Sequence, residues 1–568
     1  MDGYRCVCGA FYDSGTDVKD GDEVTITTVT LRRDYKPCKP QSAIDDPSLF
    51  AVELVSECYN EPMRPWLIHS HRRCFPRRSP IFPTRWSPVL SPRRGLMRGG
   101  VAALGALALM VHAGEKNLSA RPFYVAAQAG GSIVDSARES CRFTLEKTLK
   151  RDDRNHLVSI SSFVDPEGQV MGWHDFGNLE GPGWAANAAG GAWEIHCLGG
   201  FLGLPEWQRS AVAIVDHVME AGFLDEQSGF IRGYRETTTG KFCLNYKHNS
   251  DWFCPGSMAK VAFQLLLFSD QLGNDPRARR LRDMATRSAA WIRDRVEPVP
   301  NGWFPRRTTP EGKVYRKSPD GGNDTYWQTS ADGLFILQLQ AALTGRKLAD
   351  YRSSLRDKTA VFMKAGGLFG SINHDTYDPH ENVAYSVAFR TLLSVSRVLH
   401  DNAICSFAYE KCLSGLDQFK MYEDRNGVAT KGLLYMEKSW DTAYLWENAE
   451  AALALFEAAV DLRRSDAARS RECEMDGLVI LRAIAKHHYG AHGFLTEGVD
   501  WNDHVGQQHH IGQAKYAAIR YTEPFLNNQH IVEPTLYYLQ NLAKKSARSG
   551  TTTWRDREGN LLFQQARQ

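Results

Sequence analysis

Tryptophan recurs beside acidic residues along this chain. Six tryptophans stand within a few residues of an Asp or Glu, namely Trp173, Trp252, Trp327, Trp440, Trp446 and Trp501. Sugar rings present apolar C–H faces that stack on aromatic rings, and carboxylate, amide and imidazole groups hold their hydroxyls. Because most tryptophans belong to a protein core, a single pair carries little weight. The repetition of the pair predicts a cleft that binds carbohydrate.

Cleavage of a glycosidic bond needs two carboxyl groups, one protonated to assist the leaving oxygen and one to activate water or attack the sugar. Four of the predicted catalytic residues lie where helices are expected to begin, and the fifth lies in the last long loop: Asp251, Asp324, Asp441 and Glu447, then Asp503. Asp441 and Glu447 open the same predicted helix and face different directions. The expected pair therefore spans the fold, with Asp251 or Asp324 opposite Asp441, Glu447 or Asp503. Helix capping alone also accounts for an acidic residue such as Asp324.

The predicted substrate-binding residues are aromatic and polar side chains of the same segments. They are Trp173, His174, Trp184, His248, Trp252, Trp327, Trp440, Trp446, His510, Asn528, His530 and Glu533. His509 and His510 follow several carboxylates and could be metal ligands, a general base or part of a surface loop. Adjacent histidines diverge in a regular element, so we predict no metal ligand and no cofactor.

The elements that must position these residues are helices. From about residue 130, apolar residues recur at helical spacing in twelve segments. These lie near 133–150, 184–202, 206–221, 254–270, 277–297, 328–344, 347–365, 381–399, 402–421, 440–461, 467–487 and 527–545. The second helix of each pair is rich in Ala, Gly and Leu and is expected to be buried on most sides, whereas the first carries a charged face.

The connections between these helices alternate in length. Those from a buried helix to the next outer one are short, and those from an outer to a buried helix are long, at about 151–183, 222–253, 298–327, 366–380, 422–439 and 488–526. Six long loops would gather on one face of a closed ring and surround a basin. Several of them contain a Gly-apolar opening, at Gly229, Gly302, Gly367, Gly432 and Gly493, which predicts a small hairpin.

This order resembles the six-hairpin glycosidase superfamily over about residues 120–545. The resemblance implies an all-α fold, an (α/α)6 barrel or toroid of six helical hairpins with small β-hairpins in the long loops on one face. It also implies an oligo- or polysaccharide substrate in the long-loop basin and a glycoside hydrolase that inverts configuration.

Other activities stay open. Related toroids include polysaccharide lyases, which neutralise a uronate with Asn and His, and the run Asn527-Asn528-Gln529-His530 with nearby Tyr521 and Tyr537 fits that chemistry. Sugar epimerases and non-catalytic glycan-binding toroids remain alternatives. A zinc cyclase is disfavoured, because only one of its motifs has a faint counterpart, near Trp252.

Composition and the chain ends complete the expectations. The 568 residues contain 68 Lys+Arg and 66 Asp+Glu, a balance that disfavours a nucleic-acid partner. Residues 1–96 include a Pro- and Arg-rich stretch and are predicted to be disordered or an over-extended gene model. Residues 97–113 resemble a signal peptide and follow a twin-arginine pattern. We therefore expect secretion or a periplasmic location and no stable membrane span. If that segment is instead structural, we expect a cytoplasmic location. Residues 546–568 are predicted to be a C-terminal tail, and the oligomeric state is left open.

Overall fold

Helices dominate the computed structural model of the chain. It describes residues 120–125, 133–170, 178–246, 251–316, 330–370, 372, 378–439, 442–489, 494–502, 522–526, 530–548 and 550–566. The helices of these ranges are α1 Ile133–Lys147, α2 Ala188–Leu202, α3 Pro205–Glu220, α4 Pro255–Leu272, α5 Pro276–Arg295, α6 Gly333–Gly345, α7 Arg352–Lys364, α8 Asn382–Leu399, α9 Asn402–Phe407, α10 Leu445–Leu462, α11 Ala467–Ala485 and α12 Val532–Asn541. Each corresponds to one of the twelve predicted segments. A π-helical turn, Ala408–Leu413, continues α9.

The even-numbered helices form a closed inner ring. Helix α2 contacts α4, and the contacts continue in order through α6, α8, α10 and α12, which returns to α2. The odd-numbered helices form an outer layer, in which α3, α5, α7 and α11 pack on the inner helix before each of them and α1 packs on α12. The π-helical turn after α9 packs on α8. This arrangement is the predicted (α/α)6 toroid.

The two layers differ in sequence because they differ in burial. The outer helix α5 is rich in arginine, and its buried residues, among them Leu281, Ala285 and Ile292, recur at helical spacing on one face. The inner helix α2 contains adjacent glycines where the chain approaches closely. A Cβ atom on Gly191 would come within 2.5 Å of the Phe525 ring. Small residues therefore allow the ring to close between α2 and the segment before α12.

Short strands occupy the long connections. They are β1 Leu149–Arg151 with β2 Leu157–Ser159, β3 Leu179–Glu180 with β4 Tyr234–Glu236 and β5 Phe242–Cys243, β6 Ala443–Tyr444 with β9 Gly498–Val499, and β7 His488–Tyr489 with β8 Phe494–Leu495. Every pairing is antiparallel. Gly229, Gly302, Gly367 and Gly432 all have positive φ, which explains glycine at these predicted turns.

The final segment corrects the prediction of a tail. Strands β10 Lys544–Arg548, β11 Thr551–Arg555 and β12 Leu561–Ala566 form an antiparallel sheet. Trp554 of β11 is buried against Phe201 of α2, with ring centroids 5.3 Å apart. The folded part therefore extends to residue 566, because alternate strand residues reach the toroid core.

The interpretations of residues 1–96 and 97–113 concern residues outside the described ranges. Among the residues that the structure describes, no helix is both long and apolar enough to cross a bilayer.

Candidate functional site

Seven of the predicted site residues lie in the described ranges. They are Trp184, Asp251, Trp252, Trp446, Glu447, His530 and Glu533. The other ten lie outside the described residues: Trp173, His174, His248, Asp324, Trp327, Trp440, Asp441, Asp503, His510 and Asn528.

Three aromatic rings meet at the N-terminal ends of the inner helices. Trp184 precedes α2, Phe335 lies in the first turn of α6 and Trp446 in the first turn of α10. The Trp184 and Trp446 ring centroids are 4.9 Å apart at 78°. The Nζ atom of Lys260, from α4, lies 5.5 Å from the centroid of each of the three rings. We call the three rings the aromatic cap. It lies on the long-loop side of the ring axis, because the long connections lead into these helix starts.

Beyond the cap, all six inner helices line a cavity on the ring axis. Its lining includes Trp193, Lys260, Gln264, Phe335, Gln338, Arg390, Glu450 and Glu533. The volume of about 20 Å³ accommodates roughly one water molecule. A sugar ring does not fit in a cavity of this volume.

Charged side chains cross this cavity as an ion network. The guanidinium of Arg390 pairs with Glu450, with Glu457 at 3.1 Å and with Glu533 at 3.3 Å. Burial raises the pKa of Glu533 to about 7, although Arg390 opposes the shift. Glu533, predicted to bind substrate, is thus held by Arg390 in the ring interior.

A cluster of carboxyl groups lies beside the starts of α8 and α10. Glu381, Glu437, Glu447 and Glu497 are all buried, and we call them the acid cluster. Burial raises the pKa of Glu447 well above its ordinary value, and the charges of Glu381, Glu437 and Glu497 add to this. Asn382 Nδ2 donates to Glu447 Oε2 at 3.0 Å, and Glu447 Oε1 has no hydrogen-bond partner among the described residues. Burial and the neighbouring carboxyl groups therefore favour the protonated form of Glu447.

A second member of the cluster behaves similarly. Burial raises the pKa of Glu437 to about 9, with contributions from Glu381 and Asp378. Ser439 Oγ lies 3.1 Å from Glu437 Oε1 and 2.8 Å from Asp378 Oδ1. The Ile372 amide donates to Glu381 Oε2 at 2.6 Å. The cluster thus combines two carboxyls whose pKa is raised, Glu437 and Glu447, with a third, Glu381, that accepts a hydrogen bond from a backbone amide.

Sequence reasoning found only Glu447 of this cluster. The missed signal was a repeated Glu-Asn pair, Glu381-Asn382 at the start of α8 and Glu447-Asn448 at the start of α10. The two pairs meet in the fold through the hydrogen bond from Asn382 to Glu447. Glu437 lies in the connection before α10 and Glu497 in the connection after α11, and no sequence pattern marks them.

Asp251 is exposed just before α4. Tyr315 Oη donates to its Oδ1 at 2.5 Å. Burial and this bond raise the pKa of Tyr315 to about 12, so the phenol stays neutral. The next residue, Trp252, is buried, and the Arg307 guanidinium lies 3.9 Å from its ring centroid. One face of Trp252 is therefore covered by protein, as Trp446 is covered by its neighbours.

His530 is buried just before α12. Burial lowers its pKa to about 3, and neither ring nitrogen has a hydrogen-bond partner within the described ranges. Its imidazole is therefore neutral and a weak proton acceptor, enclosed by protein.

Comparison with known proteins adds a fold likeness. No protein-family model and no curated protein matches the chain. Among solved structures, a sugar epimerase from a ruminal bacterium is 13% identical, with 71% of this chain and 98% of that chain covered and a TM-score of 0.48. A cellobiose 2-epimerase from Bacillus thermoamylovorans is 12% identical (70% and 98% covered, TM-score 0.47). An unsaturated glucuronyl hydrolase from a Bacillus species is 14% identical (72% and 94% covered, TM-score 0.41). At such identities and scores, the activities of these proteins are not transferred to this chain.

Proposed function

We propose that the protein is a carbohydrate-active enzyme that hydrolyses glycosidic bonds on the long-loop face of the toroid, with Glu447 as the general acid. The state of Glu447 carries this proposal: its carboxyl is buried, its pKa is raised, and its Oε1 has no hydrogen-bond partner among the described residues. A carboxyl that keeps its proton at neutral pH can donate it to a departing glycosidic oxygen.

The surroundings of Glu447 support its selection over Glu437 and Glu533. Asn382 holds one carboxyl oxygen and so fixes the direction of the other. The preceding residue, Trp446, belongs to the aromatic cap, so the acid and the aromatic ring share one helical turn. In contrast, Glu437 is hydrogen-bonded to Ser439, and Glu533 pairs with Arg390.

Asp251 is the general base in this proposal. It precedes α4, and α4 and α10 are opposite members of the inner ring. A carboxylate across the basin from the acid leaves room for the water that an inverting hydrolase activates. Tyr315 fixes the Asp251 carboxylate without adding charge, because its phenol stays neutral.

The sugar would stack on Trp184. This ring is partly exposed, whereas Trp252 and Trp446 are buried. Trp446 holds Trp184 edge-to-face, and this packing fixes the ring before a substrate binds. The substrate stays above the aromatic cap because the axial cavity beyond it holds only about one water.

Release of new reducing ends from a panel of neutral and uronate-containing polysaccharides tests the proposal. Glu447→Gln and Asp251→Asn should each lower kcat by about 10²- to 10⁴-fold, the usual contribution of a general acid or base. Glu410→Gln, in the exposed part of the π-helical turn after α9, is the matched control and should retain the wild-type rate. A wild-type protein that binds a glycan but releases no product, or a fully active Glu447→Gln variant, would reject the assignment.

A polysaccharide lyase, the alternative that the sequence left open, is distinguished by the same assay, because a lyase product contains a new double bond that absorbs in the ultraviolet. His530 is a poor candidate for the base of such a reaction, since its imidazole is fully buried and its pKa of about 3 makes it a weak proton acceptor. A lyase would retain activity with Glu447→Gln.

A further inference from the structure

Three potential metal ligands converge on the outer edge of the toroid, away from the acid cluster. Asp152 and His156 lie in the turn that joins β1 to β2, and His217 lies in the last turn of α3. Asp152 Oδ2 is 3.0 Å from His217 Nδ1 and 3.2 Å from His156 Nδ1. One ligand atom from each residue lies within 4.8 Å of the other two.

The backbone fixes the Asp152 carboxylate in this position. Its Oδ1 accepts the amide hydrogens of Arg154 at 2.9 Å and of His156 at 2.8 Å. Its Oδ2 is thereby directed at the two imidazoles.

The far nitrogen of each imidazole faces a second carboxylate. His217 Nε2 is 3.0 Å from Glu180 Oε2, and His156 Nε2 is 3.8 Å from Glu220 Oε2. Arg235 in turn pairs with Glu180 at 2.7 Å and lies 3.3 Å from His217 Nε2. Metal-binding histidines commonly have their second ring nitrogen paired with a carboxylate, which orients the ring and raises its basicity.

Each ring nitrogen of His217 lies 3.0 Å from one carboxylate oxygen, Nδ1 from Asp152 Oδ2 and Nε2 from Glu180 Oε2. A cation bound to Nδ1 and to Asp152 Oδ2 would let Nε2–H donate to Glu180.

We propose that Asp152 Oδ2, His156 Nδ1 and His217 Nδ1 bind a divalent transition-metal ion of the Zn²⁺ type. Zinc bonds of about 2.0 to 2.2 Å in tetrahedral geometry separate ligand atoms by about 3.3 to 3.6 Å. The distances of 3.0 and 3.2 Å are therefore a few tenths of an ångström short and need only a small expansion. Two imidazoles and one carboxylate favour zinc over Mg²⁺ or Ca²⁺, which prefer oxygen ligands.

The ion would join the hairpin that follows α1 to the end of α3, with a water as its fourth ligand. The side chains of Asp152 and His156 are 24% and 14% exposed, so an ion can enter from solvent. The sequence predicted no metal site, because Asp152 and His217 are 65 residues apart and only the fold brings them together.

Zinc stoichiometry of the full-length protein tests the proposal. The protein is stripped with a chelator, incubated with ZnCl2, passed through a desalting column and analysed by mass spectrometry for bound metal. Wild-type protein should retain one more zinc per chain than His217→Gln, Asp152→Asn or His156→Gln. His196→Gln, a partly buried histidine of α2 that packs on Phe268, is the control and should retain the wild-type amount.

Two further measurements distinguish the loss of a zinc site from misfolding of the variant. Zn²⁺ should raise the melting temperature of the wild type and of His196→Gln but not of His156→Gln, and Mg²⁺ should raise none of them. Circular dichroism must show that each variant compared is folded, and His156→Gln replaces the more exposed of the two histidines. An equal zinc content in wild type and His156→Gln, or no zinc retained by the wild type, would overturn the proposal.

Discussion

The buried carboxyl of Glu437 should make stability depend on pH in a predictable way. Its pKa is about 9 in the folded protein, against an ordinary value of 4.5. The folded state therefore holds a proton that the unfolded state releases between these values, and stability falls as pH rises through this window. Between pH 5 and pH 8, linkage with these two pKa values gives a loss of about 4 kcal/mol from this group, and solvent screening of the carboxyl lowers this to about 2 to 3 kcal/mol.

Glu437→Gln removes this titration and keeps an oxygen for Ser439. Any constant cost of burying the new amide cancels when two pH values are compared. Urea denaturation, followed by tryptophan fluorescence at pH 5 and pH 8, should show a fall in unfolding free energy that is smaller by about 2 to 4 kcal/mol in the variant than in the wild type. The exposed Glu410→Gln variant should follow the wild type. Equal falls in Glu437→Gln and wild type would refute the reasoning.

Three further substitutions probe the toroid itself. Arg390→Met removes the guanidinium that pairs with the three carboxylates of the ion network and should lower the free energy of unfolding in urea by about 3 to 5 kcal/mol. An unchanged urea midpoint would contradict a stabilising role for this ion network. Gly191→Ala should cost about 1 to 3 kcal/mol because its Cβ would meet Phe525, whereas Gly345→Ala, with its nearest atom at 3.8 Å, should be close to neutral. Trp554→Ala should lower the free energy of unfolding by about 3 to 5 kcal/mol if the C-terminal sheet unfolds together with the toroid. A variant with the same melting temperature as the wild type would show that the sheet does not belong to this cooperative unit.

The toroid could be predicted from the sequence because its periodic features are local. Apolar spacing marked the helices, and the alternation of short and long connections marked the two layers. The C-terminal sheet was missed because the exposed polar strand Lys544–Arg548 has no apolar period. The π-helical turn after α9 was also missed, because the change from i→i+4 to i→i+5 backbone hydrogen bonds leaves no signature in residue type.

The candidate site was only partly predictable. Glu447 could be identified because it stands beside a tryptophan at a helix start. Glu437 and Glu497 could not, because their importance depends on burial next to one another, which arises from loop packing between distant segments. The same limit applies to Asp152 and His217, whose proximity depends on the hairpin folding back onto α3.

The leaving-group dependence of Glu447→Gln tests the central claim most directly. With a series of aryl glycosides of the sugar that the wild type accepts, loss of the general acid should lower kcat/KM by about 10²-fold or more for poor leaving groups and much less for nitrophenolates, which depart without a proton. If Glu447 had a merely structural role, its substitution would lower kcat/KM by the same factor for all substrates. An equal loss across the series, or no loss, would contradict Glu447 as the general acid.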